Sequence, residues 1–143
     1  MRKTDLAYIA GIIDGEGCIG IYTRGKGKGM LRVTVVVHNT NEWLCQWLRF
    51  SHGGSVHQDR RFAERNHKPC WKWSISGKLA LVFLQLIFPY LRLKRLQAEI
   101  AIKFLEDRQP RHNSTETELA VAEAQRILMS NLNKTGVHPK EVL

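Results

Sequence analysis

Between residues 6 and 13 the chain carries no charged side chain, and Leu6, Ile9, Ala10 and Ile13 recur at the i, i+3, i+4 and i+7 spacing of one helix face. Asp5 can cap this helix. A short helix without a charged face must be covered on more than one side, and its second side offers Ala7 and Gly11, small residues that let another backbone approach. Two alternating stretches follow, residues 18–24 and 31–38, joined by the glycine-rich and basic GKGKGM, and they read as paired strands. Asn39, Thr40 and Asn41 offer caps for a helix over residues 42–50, which HGG ends. SVHQDR and CWKWSIS read as a second strand pair, separated by the polar RFAERNHKP. KLALVFLQLIF is a buried helix stopped by Pro89, and residues 93–107 form an amphipathic helix through Leu93, Leu96, Ile100 and Phe104. Thr115 and Glu118 make a capping box that opens a last helix.

Strand parity sorts core from surface. Ile19 and Ile21 share one face with Leu31, Val33, Val35 and Val37; Trp71, Trp73 and Ile75 take the buried side of the fourth strand. The opposite face carries Gly20, Tyr22, Arg24, Arg32, Thr34, His38, Ser55, His57, Asp59, Arg61, Lys72 and Ser74. A curved sheet bearing such side chains can enter a major groove and meet base edges, with Lys26 and Lys28 of the intervening loop on phosphates.

Charge supports that partner. The formal net charge of the 143 residues is +9, and residues 114–143 contribute four acids and three bases, leaving 19 bases against 9 acids in the body. A folded body with that surplus points to a polyanion. Length and 43% hydrophobic content suit one domain over residues 1–143, with a core at about 5–108 and a helical extension at about 114–133. Cys18, Cys45 and Cys70 lack paired spacing, which fits reduced thiols and an intracellular, reducing compartment. No signal peptide or membrane span is expected, and the histidines near Cys70 match no common zinc spacing.

Gly15, Gly17 and Gly20 spell the G-x-G-x-x-G of a dinucleotide turn. Such a turn needs a strand before the glycines and a helix after them. Here the helix comes first, so a phosphate would face a helix C-terminus and two carboxylates, Asp14 and Glu16. No nucleotide cofactor is expected. A helix C-terminus with two carboxylates suits a hard cation, magnesium or calcium.

The stretch IAGIIDGEG, Ile9 to Gly17, resembles the motif of the LAGLIDADG homing endonucleases, and FPYLRLKRLQAE, residues 88–99, is similar to that family's later proline-then-lysine segment. The resemblance spans about residues 5–108. It implies an α+β fold of order αββαββα, with an antiparallel four-stranded saddle sheet and additional C-terminal helices. It also implies a metal-dependent endonuclease that cuts a long double-stranded DNA site, encoded by a mobile intron. Glu16 would be the main metal ligand, with the Gly15 carbonyl and Asp14 assisting. His38, helped by Asn39, would order the attacking water, Lys94 would offset charge at the phosphate, and Arg92 would contact DNA. Magnesium would be the cofactor, with manganese possible and calcium binding without supporting cleavage.

One motif without an internal repeat, set against two strands to cut, leads to a homodimer joined through the first helix at Ala7, Ala10, Gly11 and Asp14. A second class stays open: a binding protein on the same scaffold without cleavage, such as an intron RNA maturase or a DNA-binding regulator.

Overall fold

The computed structural model describes residues 1–24, 30–60, 68–108 and 113–135. Helix α1 (Lys3–Glu16) runs without a loop into strand β1 (Gly17–Thr23), followed by β2 (Leu31–Asn39), α2 (Glu42–His52), β3 (Ser55–Asp59), β4 (Cys70–Ser76), α3 (Gly77–Ile87), α4 (Arg95–Glu106) and α5 (Glu116–Thr135). The four strands form one antiparallel sheet in the order β1-β2-β4-β3. This is the α+β arrangement expected from the sequence.

The sheet is covered on one side. Ile19, Ile21, Val33, Val35, Val37, Trp73 and Ile75 are buried under Leu6, Ile9, Ala10 and Ile13 of α1 and the inner faces of α2, α3 and α4. Trp73 anchors this layer, its ring edge-on to Phe83 with centroids 5.2 Å apart and its indole N–H donating to the Gly53 carbonyl at 2.9 Å. Burying a side chain such as Phe83 contributes roughly 1.5–3 kcal/mol. The direct passage from α1 to β1 depends on Gly17: a Cβ there would lie 2.8 Å from the Ile13 Cα and 2.9 Å from its carbonyl oxygen.

Several local expectations shift. α1 begins at Lys3, before Asp5, whose carboxylate accepts a hydrogen bond from the Arg2 side chain at 3.3 Å instead of capping the helix. α3 is not buried all round: Leu79, Val82 and Leu86 face outward. Leu96 is 47% exposed, because α4 turns its small residues, Ala98 and Ala101, toward the body together with Ile100 and Phe104, and Leu93, 50% exposed, lies in the bend before α4 rather than in the helix. The last helix opens as read. The Thr115 N–H donates to Glu118 at 3.1 Å, and the Glu118 N–H donates to the Thr115 hydroxyl at 3.2 Å.

Among the described residues, no helix is long and apolar enough to cross a membrane.

Candidate active site and nucleic-acid face

The end of α1 is built from three distant pieces of chain. Helix C-termini expose carbonyls with partial negative charge, and the last turn of α1 holds no base of its own. Lys94 supplies one: its ammonium donates to the carbonyls of Ile13 (2.8 Å), Asp14 (3.1 Å) and Gly17 (2.5 Å). Burial pushes the Lys94 amine below its ordinary value, while Cys18 and Asp14 act in the opposite sense. Asp14 completes the clasp from the other direction. One of its carboxylate oxygens accepts from the Arg92 N–H at 2.8 Å and the other from the Lys94 N–H at 2.9 Å.

Glu16, two residues further along α1, stays exposed. Its Oε2 accepts a hydrogen bond from Asn39 Nδ2 at 2.7 Å. Asn39 closes β2, and its own Oδ1 accepts from the Asn41 N–H at 2.8 Å. Asn41 is the N-cap of α2 and accepts from the Trp43 N–H at 3.0 Å.

The structure therefore redistributes the expected roles. Glu16 is the carboxylate open to solvent. Asp14, expected as a second ligand, has both oxygens committed to backbone N–H groups, because the turn before α4 needs acceptors there. Lys94, expected to reach a phosphate, spends its ammonium on the α1 carbonyls. His38 lies on the open sheet face as parity required, yet it leans across β4 toward Asp59, Nε2 to Oδ2 3.6 Å, too long for a hydrogen bond. Asn39 is the side chain that touches Glu16.

The donor set fits a divalent cation only in part within one chain. Glu16 offers carboxylate oxygen, and Gly15 is exposed with nothing within 4 Å of where a Cβ would stand. Lys94 takes the carbonyls of Ile13, Asp14 and Gly17 but not that of Gly15. Among the described residues no three His, Cys, Asp or Glu side chains converge on one point. Further oxygens would have to come from water, a phosphate or a second chain.

Above Glu16 the open side of the sheet is ordered in rows by the strand register. Tyr22 stands beside Arg32, Gly20 beside Thr34 and Ser76, Cys18 beside Val36, Ser74 and Ser55, and His38 beside Lys72 and His57. Arg24 and His57 are exposed, and Arg32, Thr34, Ser55, Lys72 and Ser74 are half-buried. Two expected contacts are covered. Gly20 is buried because the Tyr22 ring folds back over it and fills the space a side chain would take. Asp59, its side chain 7% exposed, is turned toward His38. Arg92 is exposed beside the α1 terminus. Lys26, Lys28 and Arg61 lie outside the described residues.

Tyr22 gives a direct check of this surface. Burial, then the contact of its hydroxyl with the Cys18 thiol at 3.5 Å, pushes the phenol from 10 up to about 12. The folded chain thus holds this proton more tightly than the unfolded chain. The associated stability is complete below pH 10 and is lost as pH rises toward about 12. Ultraviolet titration of the wild type minus Tyr22→Phe is expected to give a phenol midpoint near 12. A midpoint at the ordinary value would mean that the ring does not lie over Gly20.

No family model matches the sequence, and no curated protein is similar to it at a significant level. Solved structures are similar in fold. The homing endonuclease I-CvuI, in complex with its target in the presence of calcium, is 23% identical with a TM-score of 0.75, covering 98% of this chain and 87% of that one. The archaeal intron-encoded homing endonuclease I-Vdi141I, complexed with DNA, is 11% identical with a TM-score of 0.76, covering 99% and 91%. A double lysine-to-alanine variant of I-SmaMI, whose wild type is a LAGLIDADG homing endonuclease, is 17% identical with a TM-score of 0.67, covering 96% of this chain and 52% of that one.

Proposed function

From the LAGLIDADG homing endonuclease fold that this chain carries, we propose that it is a site-specific endonuclease of double-stranded DNA, dependent on a divalent metal and active as a homodimer through α1. The observation that carries the reading is Glu16: an exposed carboxylate at the end of α1, where the chain enters a four-stranded sheet with a basic open face, held by Asn39 through one oxygen. Magnesium is the proposed ion. Bound there, it would lower the pKa of a water and neutralise charge on the phosphate.

The chain's own residues do the rest. Arg24, Arg32 and Lys72 supply positive charge along the sheet, and Thr34, Ser55, Ser74 and His57 place donors and acceptors where base edges would lie. Lys94 acts through α1: by neutralising the helix end, it lets a second carboxylate, Asp14, sit two residues from Glu16 without leaving negative charge uncompensated.

The dimer follows from shape and number. One chain offers one Glu16, and two strands need two. The exposed side of α1 carries Thr4, Ala7, Gly11 and Gly15, small enough for a second helix to lie close. Ala10, expected at this contact, is fully buried in the chain's own core and is left out of it, as is the committed Asp14 carboxylate. Coverage of half the I-SmaMI chain fits a unit used twice.

Gly11→Leu tests the arrangement cleanly, since no atom lies within 4 Å of a Cβ at that position and the fold has room for the side chain. Sedimentation is expected to move from dimer to monomer with an unchanged circular dichroism spectrum, and double-strand cutting is expected to stop. A wild type that sediments as a monomer on DNA and still cuts both strands would refute the dimer. The activity itself is tested on DNA spanning the gene's own insertion point, rejoined without the insert. A magnesium-dependent double-strand break is expected, and binding without cleavage would leave the protein a DNA-binding module.

A further inference from the structure

We propose that Asn39 is a positioning residue for Glu16: its amide fixes the carboxylate and so decides which oxygen is presented to a divalent cation. The inference rests on the reading of Glu16 as the metal-binding carboxylate.

Three observations carry it. First, the amide cannot turn over. Its Oδ1 accepts the Asn41 N–H at 2.8 Å, so the NH₂ group must point at Glu16, where it donates to Oε2 at 2.7 Å. The opposite orientation would set NH₂ against N–H and carbonyl against carboxylate, two repulsions in place of two bonds. Second, the support behind it is rigid. Asn41 is held by the Trp43 N–H at the first turn of α2, and α2 is anchored by Leu44, Cys45 and Leu48, all buried. A continuous line of bonds thus runs from the core to an exposed carboxylate. Third, Glu16 needs such a hold. A glutamate arm has one torsion more than aspartate, and Glu16 is exposed with no other hydrogen bond among the described residues.

His38 does not duplicate this role, since it stands on the other face of β2 and leans toward Asp59. Asn39 takes one lone pair of Oε2, which leaves Oε1 as the oxygen with no protein partner to present to a metal. Partners that orient metal-binding carboxylates typically govern affinity by about 10–100-fold. Asn39 touches neither metal nor substrate in this scheme; it acts through Glu16.

The test compares wild type, Asn39→Ala, Asn39→Gln and Glu16→Gln as full chains. Terbium(III), a hard oxygen-seeking ion, is titrated without DNA and followed by its luminescence, and magnesium is titrated in the cleavage reaction. The half-saturating concentration of both ions is expected to rise by about 10–100-fold in Asn39→Ala. Cleavage should return to near the wild-type rate once magnesium saturates. Asn39→Gln is expected to resemble alanine, because an arm one methylene longer cannot make both bonds. Its retained amide also keeps the test open should the alanine variant fail to fold. Glu16→Gln should abolish the terbium response, assigning the signal to this site. An unchanged midpoint in Asn39→Ala, or full rescue by glutamine, would overturn the inference while leaving the nuclease standing. A wild type that neither binds terbium nor cuts DNA would instead sink the nuclease reading and take this inference with it.

Discussion

Glu16→Gln is expected to lose at least about a hundredfold in cleavage rate while keeping its specific affinity for DNA in calcium. Loss of an orienting partner alone costs about 10–100-fold in metal affinity or activity, so loss of the ligand charge itself should cost no less. Shape hardly changes, because the glutamine carbonyl can still accept from Asn39 Nδ2. The residues expected to hold DNA, Arg24, Arg32 and Lys72, are untouched. Cleavage and calcium-supported binding measured on the same preparation separate the two effects. Cutting at near the wild-type rate would remove Glu16 from the chemistry altogether.

The second large effect concerns stability. Lys94→Met should lower the unfolding free energy by about 3 kcal/mol, since it leaves three carbonyls at the end of α1, two of them on buried residues, without their charged donor. For a chain of this length that corresponds to a fall of about 10 °C in Tm. Asp14→Asn, which keeps one acceptor where two N–H groups wait, is expected to fall between wild type and Lys94→Met. The pH dependence has a definite sign. Because burial lowers the Lys94 pKa, the unfolded chain binds that proton more tightly as pH approaches 10.5, and wild-type stability should rise there relative to Lys94→Met. Tm within about 2 °C of wild type would show that the ammonium is not engaged with α1.

How much of this was legible in the sequence differs with the range of the interaction. The sheet was readable because a strand buried on one side must alternate, and Val33, Val35 and Val37 sit opposite Arg32, Thr34 and His38 as that period demands. The glycine triplet was readable through order alone: helix first, strand after. Within single elements, phase was harder. Leu93 and Leu96 looked like core because leucine is apolar, whereas the close packing of α4 chose alanines for the inner side and left Leu96 out, and Leu93 falls in the bend before the helix starts. Furthest from reach were the side-chain bonds around Glu16. Parity placed His38 correctly on the open face but could not tell that Asn39, at the very end of the strand, reaches the carboxylate. Nor does anything near residue 94 announce that its ammonium faces inward. The acceptors are backbone carbonyls some 80 positions away, and backbone groups leave no mark in a sequence.

That separation along the chain has a consequence for synthesis. The clasp joins Asp14 to Arg92 and Lys94 across 78 and 80 positions, so the last turn of α1 has no lysine against its carbonyls until the chain has been made past residue 94. At about 5–20 residues per second, the end of α1 is without that lysine for several seconds of synthesis. Asn39 is made well before then, but the turn that carries Glu16 is not closed by Lys94 until residue 94 has been added. Closure of a loop this long is entropically costly and late, which couples completion of the site to completion of the fold. A chain abandoned midway by the ribosome would carry the motif but not the site.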